Sequence, residues 1–258
     1  MELIKRNPLF KSIEKDQANS DAYEKSDCAT LHGIFGKTIL LVFIAIAAAA
    51  AAIAMMFNLT EDDLGTFIVA LVVAAIAALV SGFIASFSVR LCPVFSIIYA
   101  VSEGFLLGVV SLLVDLVYPG VALVALICTF VVTFIMGILY FTGLVKVGHK
   151  LKTFVFVALI SLFVGSIVLA ILAACNVPGM RDILYDPSNP IGWIIDVALV
   201  LIATLLLLID FDYAAQLAES EAEKKYEWKA AFALTTAIIY LYLRILEVLI
   251  RIAAASKK

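Results

Sequence analysis

The feature that most constrains this chain is its series of long, almost uncharged apolar runs. About 20 residues of helix cross a bilayer core, and a run of 18 or more residues with few charges reads as a membrane span. We read seven such spans, near residues 36–57, 65–88, 93–117, 119–141, 153–175, 191–213 and 229–252. A backbone in lipid must satisfy its own hydrogen bonds, so the expected fold class is all-α: a polytopic membrane protein built as a seven-transmembrane-helix bundle. Composition agrees, because 64% of the 258 residues are apolar, well above the soluble norm.

The breaks between the runs carry turn chemistry or charge: NLTEDD, RLCP, YPG, KVGHKLK, NVPGMRDILYDPSNP and ESEAEKKYEWK. Residues 1–33 are polar, mixed in charge and poor in large apolar side chains, and are expected to form a disordered cytoplasmic tail. Residues 34–252 form the membrane domain, and 253–258 a short carboxyl-terminal tail. The opening stretch is too polar and too long for a cleaved signal.

Orientation follows from the positive-inside rule. With the amino terminus inside, the tail and inner loops hold thirteen of the 18 Lys and Arg residues, among them Lys37, Arg90, Lys146, Lys150 and Lys152, while the outer loops hold only Arg181. Seven spans then put the carboxyl terminus outside, with Arg251, Lys257 and Lys258 as a weak counter-signal. A net charge of −3 gives no reason to expect a nucleic-acid partner. Asn58-Leu59-Thr60 matches a glycosylation sequon but lies too close to the membrane to serve as one.

Ionisable groups at bilayer depth cost about 2.5–3.5 kcal/mol each on insertion scales and mark candidate functional positions. Here they are Glu103, Asp115, Asp196, Asp210, Asp212, Arg244 and Glu247. Asp115 and Asp196 lie near span ends, where headgroup water accounts for them. Glu103 shares its helix with Gly104 and Gly108, a small-xxx-small face that predicts close helix packing. A sixth-to-seventh hairpin turning near residue 228 would set Asp212 and Arg244 sixteen residues from the turn on either side, at equal depth. Asp210 and Asp212 point about 200° apart around their helix, so one faces the seventh helix and the other the fifth helix, another core helix or water. ESEAEKKYEWK reads as a solvated hairpin tip with Trp228 at the interface, and Trp193 and Tyr185 anchor the opposite face. The lysines of KVGHKLK are placed to meet lipid headgroups.

These segments together resemble the bacterial branch of the Bax inhibitor-1 (transmembrane Bax-inhibitor motif) family. The resemblance rests on the order and spacing of NPLF (7–10), SEG (102–104), the YPG turn, IDFD closing the sixth span and YEWKAAFALTTAIIYLYLRILEVL (226–249). It implies a bundle with the last helix central, in the plasma (inner) membrane of a bacterium. It also implies a pH-sensitive calcium leak channel in which acids on the sixth and seventh helices pair and an arginine near the inner end of the second helix latches them. Asp212 matches the sixth-helix acid, and Arg90 the latch only approximately. At residue 244, where the pattern has an acid, this chain has Arg244, and the next acid is Glu247. The gating or ion-pathway candidates are therefore Asp212, Arg244, Glu247, Asp210 and Glu103. Asp212 has Arg244, Glu247 and Glu103 as alternative partners.

Two functions compete. One is passive conduction of calcium or other cations along the intramembrane acids. The other is a non-transporting regulator that binds other membrane proteins, with Asp212–Arg244 as a structural pair. An enzyme is not expected: there is no G-x-G-D, no serine with an intramembrane base, and no catalytic metal set, since His32 and His149 lie in polar flanks. No cofactor is expected, and calcium enters only as cargo. Cys28, Cys92, Cys128 and Cys175 show no CxxC spacing.

Overall fold

The computed structural model describes residues 28–58, 63–145, 147–175, 186 and 189–256. The NPLF stretch and most of the tail, Leu59 and Thr60 of the sequon, Lys146, Arg181, Tyr185, Lys257 and Lys258 lie outside these residues. Each of the seven expected spans is a helix: α1 Leu31–Phe57, α2 Leu64–Phe87, α3 Cys92–Val117, α4 Val121–Phe141, α5 His149–Ala174, α6 Pro190–Glu219 and α7 Tyr226–Ser256. Six of them, all but α5, contain a described apolar stretch long enough to cross a membrane. The chain is an integral membrane protein by this measure.

The helix ends follow local chemistry. Thr30 caps α1, its side chain accepting from the Gly33 N–H, so that α1 starts inside the stretch read as tail. Asn189 caps α6 in the same way through the Ile191 N–H, with Pro190 as first helical residue. The YPG turn works because Gly120 takes φ 85, and the Asp115 carboxylate accepts its N–H at 2.6 Å. Asp115, read from sequence as a headgroup-facing acid, is thus a turn-forming group.

α1, α3 and α7 run in the same sense. Gly104 and Gly108 of α3 lie against the α1 backbone, where an added Cβ would stand 2.3 Å from the Ala45 carbonyl oxygen and 2.4 Å from that of Ala49. The small-xxx-small expectation is met, with α1 supplying alanines for the glycines of α3. Further along, Tyr99 meets Phe232 edge-on at 5.2 Å and the Ser111 and Tyr242 hydroxyls bond at 2.7 Å, joining α3 to α7. α7 touches α1, α2, α3, α4 and α6, and is the central helix. α5 packs only on α6 among the described residues.

α6 and α7 form an antiparallel hairpin whose tip, residues 220–225, is pinned to the start of α1. Ala29 N–H donates to the Ala222 carbonyl at 2.7 Å, and Cys28 bridges to Glu223. We call this the tip end of the bundle.

Candidate functional site

Asp212, in the apolar helix α6, is buried, at 8% exposure. It lies seven residues before the end of α6 and faces α4 and α5. The Tyr140 hydroxyl, from the last turn of α4, donates to Oδ1 at 3.1 Å. Gln216, one turn along α6, donates its amide to Oδ2 at 2.5 Å. The ammonium of Lys152, from the first turn of α5, stands 2.6 Å from the same oxygen. Aromatic rings wall this cluster: Tyr140 stacks on Phe211, and Phe141 and Phe35 close against Phe211 edge-on and tilted. Excluding water on that side strengthens the charge–charge attraction within the cluster.

The expected Asp212–Arg244 pair does not form, and the hairpin geometry explains why. The turn falls at residues 220–225 and not near 228, so Asp212 is seven residues from the end of α6 while Arg244 is 18 past the start of α7. That offset of eleven residues separates them by about 16 Å along the axis. Arg244 turns to its own helix, donating to Glu247 at 2.7 Å and lying 4.8 Å from the Tyr240 ring centre. Glu247 is half-exposed and therefore no partner for Asp212 either. The α6–α7 ion pair that does form is Asp196–Arg251, at 2.5 Å, with Arg251 also donating to the Asp186 carbonyl at 3.1 Å. Asp196, read from sequence as a headgroup-facing acid, is thus a helix clasp.

Arg90 is exposed in the α2–α3 turn and makes no ion pair among the described residues. The basic group that pairs with Asp212 is Lys152, one of the lysines assigned to lipid. Glu103 and Asp210 are half-buried and carry no ion pair among the described residues; Glu103 lies beside Tyr99. Asp210 points away from the Asp212 cluster, as the 200° offset requires.

The hairpin tip holds a second cluster that no local pattern in the chain marks. Glu227, expected in a solvated turn, is 1% exposed. Its carboxylate accepts from the Thr30 N–H at 2.8 Å and the Thr30 hydroxyl at 3.2 Å, and pairs with the Lys37 ammonium. Lys37 also lies 5.6 Å from the Trp228 ring centre, so Trp228 packs inside the joint and is more than an interface anchor. Gly33 leaves the room: a Cβ there would stand 2.3 Å from Glu227 Oε1. An acid next to lysines in a turn looks solvated in sequence, because its burial depends on α1 arriving from 190 residues away.

Among the described residues no group of three or more His, Cys, Asp or Glu side chains is gathered as a metal would need. The cluster around Asp212 is one carboxylate satisfied by three donors: the Lys152 ammonium, the Gln216 amide and the Tyr140 hydroxyl.

A family model described as Bax inhibitor 1 like matches residues 7–254. The chain belongs to the Bax inhibitor 1-like family. Membership covers nearly the whole chain, from the amino-terminal segment through the last turns of α7, so the Asp212 cluster and the tip cluster both lie within the Bax inhibitor 1-like unit. No curated protein and no solved structure matches the chain. Within the Bax inhibitor 1-like frame, this chain couples its sixth-helix acid to a lysine of α5.

Proposed function

We propose that this protein is a passive leak pathway for calcium or another cation, with Asp212 as the acid that meets the ion. The observation that carries this reading is Asp212 itself: a buried carboxylate at membrane depth, fully engaged by groups from α4, α5 and α6. Intramembrane carboxylates at helix junctions are the usual markers of ion paths, and oxygen donors suit calcium. The reading places the tip end in the cytoplasm of a bacterium, the carboxyl terminus outside and the bundle in the plasma membrane, on the strength of the lysine and arginine asymmetry. It assigns no catalytic chemistry and no resident cofactor.

pH sensitivity belongs to the same proposal. The groups that face Asp212 are Lys152, Tyr140 and Gln216, and Glu219 acts electrostatically on Tyr140. The test is calcium uptake into proteoliposomes of purified protein at pH 6 and pH 8, beside Asp212→Asn. Uptake above empty liposomes that differs between pH 6 and pH 8, and that changes in Asp212→Asn, is the expected result. Folded protein that passes no more calcium than empty liposomes overturns it.

A second reading has its own support. Asp196, Asp212, Glu227 and Glu247 are each neutralised by a basic side chain, as in a static scaffold. A non-transporting regulator that binds other membrane proteins needs only such clasps, and a silent flux assay favours it.

A further inference from the structure

We propose that the aromatic rings of Phe35, Tyr140, Phe141 and Phe211 are a hydrophobic gate, closing the tip end of the bundle between Asp212 and the interior. The rings come from three helices: Phe35 from the start of α1, Tyr140 and Phe141 from the end of α4, and Phe211 from α6. Tyr140 and Phe141 are 5.2 Å apart by centroid and Phe35 and Phe141 5.6 Å. Around Phe211 the spacings are 6.1 Å to Phe35, 6.1 Å to Phe141 and 6.5 Å to Tyr140. These are contact distances for aromatic pairs, so the rings leave no water-wide gap between them. An apolar constriction of this kind stops a hydrated ion by excluding its water, and it needs no charge to do so.

Both sides of this closure are polar, which a plain core cluster does not require. On one side Asp212 follows Phe211 directly in α6, and the hydroxyl that Tyr140 donates to it belongs to a ring stacked on Phe211. On the other side α4 runs away from the tip with Gly137, Thr133 and Thr129 at one-turn spacing, on the face that carries Tyr140. Gly137 borders the closure, since a Cβ there would meet Phe211 Cζ at 3.6 Å. Thr129 donates its hydroxyl to the Ala125 carbonyl at 2.8 Å, whereas the Thr133 hydroxyl oxygen is enclosed without a hydrogen-bond partner among the described residues. A polar atom so placed is costly unless water can reach it, and the rings stand between it and Asp212. The role of the rings as a barrier to ions rests on the leak reading above; their exclusion of water does not.

Thiol accessibility reads the closure without any flux. In full-length protein with its four native cysteines replaced, Thr133→Cys is exposed to a cationic methanethiosulfonate on one face of membrane vesicles at a time. A separate Lys224→Cys variant, at the exposed tip, identifies the tip face. With the rings intact, Thr133→Cys is expected to stay unmodified from that face. Phe211→Ala should speed its modification about tenfold or more by removing the ring at the centre of the constriction. Phe141→Ala, at a ring already 49% exposed, should act in the same direction and keeps the test should Phe211→Ala fold poorly. Phe87→Ala, which trims an exposed aromatic pair on α2, leaves Thr133→Cys unmodified. Ready modification with the rings in place, or none with them trimmed in folded protein, overturns the closure. Calcium uptake in the same variants separates it from the leak reading. An Asp212-dependent parental leak that trimming leaves unchanged removes the gate and keeps the leak. Opened thiol access with no uptake in any variant keeps the rings as a water barrier and removes the leak.

Discussion

Arg251 and Asp196 join the far ends of α7 and α6, with Nε 2.5 Å from Oδ2 and both side chains 13% exposed. They sit 25 residues past the start of α7 and 23 before the end of α6, the register of an antiparallel hairpin turning at residues 220–225. Arg251→Ala removes one partner of an enclosed pair and is expected to cost about 3 kcal/mol. Replacing both, as Asp196→Asn with Arg251→Met, should recover part of that loss. Thermal unfolding in detergent checks it; singles that simply add in the double variant would mean the pair is not coupled.

The α1–α3 seam makes a sharper prediction. Gly108→Ala puts a methyl group 2.4 Å from a backbone oxygen of α1, which only helix separation relieves. A destabilisation of about 1–3 kcal/mol is expected from such overpacking. Gly36→Ala is the control, since nothing lies within 4 Å of its new Cβ, and the better helix propensity of alanine should make it neutral or mildly stabilising. Equal melting temperatures for the two variants would contradict the seam.

Lys37 and Glu227 should respond unequally to neutralisation. Glu227 is 1% exposed, whereas the Lys37 side chain is 20% exposed and able to reach water. Lys37→Met therefore strands a buried carboxylate, at a cost of about 3–5 kcal/mol, while Glu227→Gln leaves a lysine that can swing out. The larger drop in melting temperature is expected for Lys37→Met. The reverse order would show that the Thr30 contacts, rather than the ion pair, hold the joint.

Arg244→Asp tests the geometry of the hairpin. From sequence it looked like the change that would build an acid pair with Asp212. With about 16 Å of axial offset between them, it should leave calcium uptake and its pH dependence at the parental level. It should also cost stability, by setting two acids at i and i+3 with Glu247. A marked rise in pH-dependent leak would place Arg244 in the pathway after all.

The architecture was readable in the chain because lipid imposes it: spans, breaks and the glycine face each follow from a local pattern. The last helix's central place came from the family resemblance, and α7's contacts with five neighbouring helices bear it out. The ion pairs were less legible. Depth matching gives the right partner only when the turn is located correctly, and shifting the tip from 228 to 220–225 moved Arg244 out of reach of Asp212. Lys152 was equally visible, four residues into α5, but a lysine at a helix start fits lipid headgroups as well as a buried acid. Glu227 had no signature at all. Its burial is a property of the contact between the first and last helices, which no window of neighbouring residues contains.

That contact has a consequence for biogenesis. Thr30 and Glu227 bond across 197 residues of chain. At roughly 5–20 residues per second of synthesis, about 10–40 s pass between the appearance of one partner and the other. During that interval the first span is in the membrane with its capping threonine, its lysine and its glycine gap waiting for an acid that has not been made. Assembly of this bundle is thus completed from its last hairpin backward, and a truncated chain lacking that hairpin should insert its early spans and seat the first against α3, yet leave its Thr30 end without the acid that closes it.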